Sequence, residues 1–179
     1  MDEWRLATAV NGEIFHKADN GFTKIREQLL SYYPDRIWKM RLSQELANAS
    51  QAGQYNYSRM MARKEYVTAK ISLDRYEESI IKIIHLINRK YCPYYKWMHK
   101  SMKSVTHLPE IYDVLRAVAD MPDQRDAWID YKYDGTVNGD DQIALTMEII
   151  GNIISNKLNE LGLSDISDPY LEHHIPYIR

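Results

Sequence analysis

The sequence predicts an all-α protein, a helical bundle of five to seven helices behind a short extended N-terminal segment. Three observations carry that expectation. Glycine and proline are scarce, 7 and 6 in 179 residues, so few positions are given to turns. Leu, Ile, Lys, Glu, Ala and Met recur, and these residues lose little on entering a helix. Apolar side chains return every three to four positions along most of the chain. The length suits one domain with a sizeable core, and 45% hydrophobic against 27% charged residues reads as globular rather than disordered.

Three parts are expected: 1–22 extended, 23–162 the bundle, and 163–179 a tail packed over it. In the first part "VNGEIF" reads as a short strand or extended piece and "ADNG" as a turn. From Phe22 the period changes. "FTKIREQLLSYY" places Phe22, Ile25, Leu29 and Leu30 on one helical face, and Pro34 closes that helix or opens the next. "DRIWKMRLSQELANASQAG" continues at helical spacing until Gly53 and "QYNYSR" interrupt the apolar period without a proline. "KEYVTAKISLDRYEESIIKIIHLINRKY" is the strongest helix, apolar on most sides in its second half, and so the expected centre of the bundle.

Pro93 is expected to break that helix at Cys92 and to open "PYYKWMHKSMKSV". "LPEIYDVLRAVADM" follows as a helix and "PDQRDAWIDYKY" as a shorter one. "DGTVNGDD" reads as a loop entering a last helix, "DDQIALTMEIIGNIISNKLNELG". There Asp140 and Asp141 suit the positive N-terminus, and Gly162 is the stop.

Composition also bounds the chemistry. The single cysteine, Cys92, excludes an internal disulfide and a Cys-based metal cluster. The longest apolar run, Ser79 to Ile87, is too short to span a membrane. With no basic leader in "MDEWRLATAV", a cytoplasmic location without a membrane partner is the expectation. From Ser79 to Pro109 no acidic residue occurs beside six Lys and Arg, whereas Glu110 to Asp141 carries nine carboxylates. Such asymmetry fits an anion-binding surface, or two neighbouring segments that neutralise each other.

Catalytic signatures are missing: there is no glycine fingerprint for phosphate, and the adjacent His173 and His174 diverge too far to chelate from one helical face. The closest Arg-to-His spacing is ten residues, Arg75 to His85 and Arg89 to His99, too long for a helical ribonuclease motif. No catalytic or metal-ligating residue is therefore assigned. Two polar-aromatic clusters remain as candidate binding residues. "GQYNYSRMMARKEY" offers Tyr55, Asn56, Tyr57, Arg59 and Arg63, either to a base and a phosphate or to a buried network fixing helix register. "NRKYCPYYKWMHK" offers Arg89, Lys90, Tyr95, Lys96 and His99 on one face, while Tyr94, Trp97, Met98, Ser101 and Met102 fall on the opposite, core-forming face.

Taken together, "NGEIF", "GFTKIREQLLSYYP", "GQYNYSRMMARKEYVTAK", "LINRKYCPYYKWMHK" and "DPYLEH" resemble the C-terminal helical region of an uncharacterised bacterial family. In that family a domain of unknown function follows a nucleotidyltransferase-fold domain. The resemblance runs over nearly the whole chain and implies an accessory or substrate-binding bundle that positions a nucleotide or an anionic acceptor. The family's catalytic domain carries a Gly-Ser pair and an Asp-x-Asp that hold nucleotide and metal, and neither motif occurs here. The chain is thus expected to be a fragment or a stand-alone relative, without a cofactor of its own. Nucleotide and magnesium are expected only with a nucleotidyltransferase-fold partner domain in cis or in trans. The alternative expectation is a helical oligomerisation or partner-docking module, in which Ile80 to Ile87 pairs across a homodimer.

Overall fold

The computed structural model describes residues 2–15 and 21–178, and among them it contains eight α-helices and no strand. The helices are α1 (Glu3–Val10), α2 (Gly21–Leu30), α3 (Asp35–Ala49), α4 (Ser58–Ala62), α5 (Tyr66–Ile87), α6 (Tyr95–Ser101), α7 (Ile111–Ala119) and α8 (Gln142–Glu160). A π-helical stretch, Ser50–Tyr57, joins α3 to α4. The all-α bundle matches expectation, with one helix more than the expected range.

That helix is α1. Within the segment expected to be extended, Glu3–Val10 is helical, because "EWRLATAV" consists largely of good helix formers and carries Glu3 in its first turn. Arg26 of α2 caps it from across a turn, donating to the carbonyls of Val10 at 2.9 Å and Gly12 at 2.6 Å. A guanidinium there meets both the orphan carbonyls and the negative end of the helix. Most of the "ADNG" turn lies outside the described residues.

The core forms around α5, which packs chiefly on α3 and the π-helical stretch. Ile80, Ile83, Ile84 and Ile87 are all at most 3% exposed, packed with Leu42, Leu46, Ile150 and Ile154. The apolar half of α5 is thus consumed inside the monomer and offers no face to a second copy. Gly53 lets the π-helical turn touch α5, since a β-carbon there would overlap the Tyr76 ring. The interruption read from the sequence at Gly53 is therefore a widened turn in one continuous helical run.

α5 ends at Ile87, not at Cys92. Arg89 adopts φ +52°, its N–H donates to Leu86 O, and the Lys90 N–H donates to His85 O. This left-handed closure with paired backbone bonds is a Schellman end built without glycine. Asn88 fixes the bend through its side chain, donating to Ile84 O and His107 O and accepting from the N–H groups of Thr106 and His107, all within 2.9 Å. Gly162 (φ +66°) ends α8 in the same way, as the sequence predicts.

The acidic segment before α8 is held by side chains more than by regular structure. "PDQRDAWIDYKY" supplies only one 3-10 turn, Arg125–Trp128, instead of a helix. Asp141, fully buried, accepts four bonds: Ile143 N and Ala144 N at Oδ1, and Trp128 Nε1 (2.6 Å) and Tyr57 OH (3.1 Å) at Oδ2. It is the cap expected from the sequence and also a junction of three segments. The C-terminal segment lies against α3 and α8, with a 3-10 turn at Leu171–Tyr177. Gln54 clamps it, donating to Pro169 O and accepting from Leu171 N, while Gly151 leaves room for the Pro169 carbonyl.

Replacing Asp141 by Ala leaves four buried donors without a partner and should lower unfolding stability by about 3 kcal/mol or more. Equilibrium urea unfolding measures this, and a loss near that of an ordinary exposed helix cap, about 1 kcal/mol, would show that the junction contributes little.

Candidate functional site

A cleft of about 920 Å³ opens between the α1–α2 pair and the segment joining α5 to α6. Its position follows from the local fold. α1 buries no side chain fully, and α2 buries only Thr23. The two helices meet the body through a few contacts. Trp4 packs edge-on to Tyr94 with centroids 5.5 Å apart, and Tyr32 and Tyr91 stack tilted at 4.8 Å. Tyr91 OH donates to Leu29 O, Tyr32 OH to Lys90 O, and the Cys92 N–H to Glu3 Oε1. Between these bridges the chain leaves space.

The early end of α5 puts Arg89 and Lys90 on the cleft wall, since both lie in the turn that follows. Arg89 lies 3.4 Å over the Trp38 ring and donates to Asp35 at 2.9 Å. Lys90 Nζ donates to Ser104 O. Trp97 and Tyr94, expected to face the core, are 58% and 43% exposed and line the cleft instead. Met98 and Met102 alone fill the inner face of α6 and the 3-10 turn after it.

His85 and Ser101 form the cleft floor. His85 is 2% exposed. Its Nδ1–H donates to Ile81 O at 2.8 Å, because a carbonyl can only accept, and this fixes the neutral tautomer with Nε2 as acceptor. The Ser101 hydroxyl, 2.7 Å from both His85 Nε2 and Met98 O, has one proton for two acceptors. Burial pushes the His85 pKa below its ordinary value, opposed by the Ile81 carbonyl and reinforced by Lys90.

The sequence candidates divide. Arg89 and Lys90 are in the cleft. Tyr95 opens onto a smaller adjoining pocket of about 400 Å³, where Glu3, Glu45 and Glu78 meet Arg41 and Lys82. Lys96 is exposed, and His99 stacks on Tyr112 at 4.3 Å while bonded to its carbonyl. Of the other cluster, Tyr57 serves Asp141, Asn56 donates to Gln51 O, Arg59 covers the Tyr55 ring at 4.4 Å, and Arg63 is the exposed cap of α4. These five sit apart from the cleft. Sequence reasoning missed Trp4, Tyr32, His85, Tyr91 and Ser101 as site residues. The one usable signal was the tyrosine excess, 14 against two Phe. Among the described residues no group of three or more His, Cys, Asp or Glu could hold a metal ion, and no helix is long and apolar enough to cross a membrane.

The model of a family described as a domain of unknown function, DUF4037, matches residues 1–98, more than half of the chain, and the chain belongs to that family. The matched span holds every element of the cleft except the end of α6 and the turn after it. No curated protein and no solved structure matches the chain.

The depressed His85 pKa fixes the sign of one pH effect. The unfolded chain takes up this proton near pH 6.5 and the folded chain only at lower pH, so acidification below 6.5 favours unfolding. Burial also raises the Glu77 pKa to about 7, which acts in the opposite direction, so in thermal melts from pH 7.5 to 5 the Tm of the unaltered chain should fall more, or rise less, than that of His85→Gln. Equal slopes in the two proteins would remove His85 as the cause.

Proposed function

We propose that this chain is the helical accessory, substrate-binding part of a nucleotidyltransferase-like protein, positioning a nucleotide or an acceptor and not catalytic alone. The supporting observation is the cleft, which sets aromatic rings and two cations along one wall. Rings offer stacking to a planar ligand, and Arg and Lys offer charge-assisted bonds to an anion. The sequence resemblance to the helical region that follows a nucleotidyltransferase-fold domain supports the same reading. A catalytic domain in cis or in trans would bring the nucleotide chemistry and its magnesium.

Isothermal titration of the chain with ATP and magnesium should show saturable binding that Trp97→Ala weakens about tenfold or more. The chain alone should release no pyrophosphate from ATP. Equal affinity in the variant, or pyrophosphate release by the chain, would refute the reading.

A second reading, a docking module, draws on α2. Phe22, Ile25 and Leu30, which the sequence places with Leu29 on one helical face, are 64%, 60% and 55% exposed. α2 packs chiefly against α1, so its apolar face is left uncovered. Light scattering at high protein concentration should report a dimer that Ile25→Ser dissociates, and a strict monomer would count against self-association.

A further inference from the structure

The charges around the cleft separate two kinds of ligand that the proposed function leaves together. Among the described residues that line it, the permanently charged ones are Arg89 and Lys90, and no carboxylate is present. Asp35 pairs with Arg89 at 2.9 Å from outside the lining and offsets part of its charge, while Asp2, Glu3, Glu45 and Glu78 face the smaller neighbouring pocket, where Arg41 and Lys82 accompany them. A polycationic ligand would meet like charge in the larger cleft, while an anion would meet two cations.

The apolar lining adds a shape requirement. Trp4, Tyr94 and Trp97 all line the cleft, with Trp4 and Tyr94 edge to face. Tyr94 and Trp97 are exposed, Tyr94 packing on Tyr95 at 4.6 Å and Trp97 with Lys100 Nζ 5.5 Å from its ring. Such rings suit a planar aromatic body. The volume, about 920 Å³, accommodates a ligand larger than a single ring.

The depth of the cleft adds a polarity requirement. Arg89 and Lys90 are exposed at the mouth, and His85 is buried at the floor. Asp35 takes one Arg89 donor and the Ser104 carbonyl one Lys90 donor, out of five and three respectively. At the floor, His85 Nε2 and Met98 O both draw on the single Ser101 proton. Whichever acceptor its proton serves, Ser101 Oγ keeps lone pairs that can accept from an N–H or O–H donor of a ligand.

We propose that the cleft binds a planar aromatic anion, with its ring against Trp4, Tyr94 and Trp97, its negative group at Arg89 and Lys90, and a donor edge toward Ser101. It discriminates against polycationic acceptors. This rests on the ligand-positioning reading above and narrows it. A nucleoside monophosphate and an aromatic carboxylate share this chemistry.

Tryptophan fluorescence and isothermal titration of the whole chain distinguish the sources. The probes are AMP, adenosine, indole-3-carboxylate, inorganic phosphate and spermine. The expected result is quenching and saturable binding by AMP or by indole-3-carboxylate, with inorganic phosphate and spermine inert and adenosine weaker than AMP. Lys90→Gln should weaken the aromatic anion about tenfold and leave adenosine unchanged. Trp97→Ala should weaken both, with circular dichroism melts confirming that each variant folds. Binding of indole-3-carboxylate without AMP supports the cleft chemistry and removes the nucleotide from the proposed function. Spermine binding without either anion overturns this inference and leaves acceptor positioning standing. Binding of neither class overturns the inference together with the ligand-positioning reading, and the docking reading is then the one kept.

Discussion

The carboxylate of Asp141 is the constraint on which the far side of the bundle depends. Folding removes it fully from water, and a lone ionised carboxylate could not be buried at acceptable cost. Four donors from three segments offset that cost: the first turn of α8, Trp128 of the 3-10 turn, and Tyr57 of the π-helical stretch. Each segment is therefore placed relative to the other two by one charge. The desolvated Tyr57 hydroxyl, with a carboxylate as neighbour and partner, has its pKa raised far above the tyrosine range and remains a donor.

The same reasoning explains how a long acidic loop can lack regular structure and still be ordered. Asn138 donates to Ala127 O and accepts from Asp140 N, and Gln124 accepts from Gln142 N. Buried side-chain amides stand in for the backbone ladder that a helix would supply. The tail repeats the device. Gln54, Ser50 and His174 satisfy its backbone, so a segment without a long apolar run of its own can be strapped to the core.

The opposite end of the molecule follows a different rule. There α1 and α2 contribute few buried side chains, and bridges at Glu3, Trp4, Leu29 and Tyr32 hold them beside α5 and α6. Loose packing and a binding cleft have one cause, since apolar surface that does not close on itself is left to line a space. Glu3 shows the compromise: burial raises its pKa, against the pull of the Cys92 N–H and of Arg41. Cys92 is buried at the joint, and burial pushes its thiol pKa well above the ordinary range.

Helix-forming composition, the apolar period of α5, the Asp141 cap and the Gly162 stop were legible in the sequence, because each rests on neighbours within one or two turns. The candidate site was legible only at Arg89 and Lys90. Tyr57 and Arg59 looked alike in the sequence, yet one was drawn to a carboxylate 84 residues away and the other to a ring on its own turn. Trp97 and Tyr94 lie on the inner face of α6 by periodicity, and the uncovered gap beside α1 turns them into a cleft wall. The break after Ile87 followed from a left-handed residue that is not glycine, a conformation held by Asn88 and by contacts with Trp38 and Asp35. The sequence by itself determined that α2, α3 and α5 to α8 are helices and which one lies at the centre, since both are set by local period and apolar content. Only the tertiary structure decided which aromatic and cationic side chains face a common space, because that depends on how closely two poorly buried helices approach the rest.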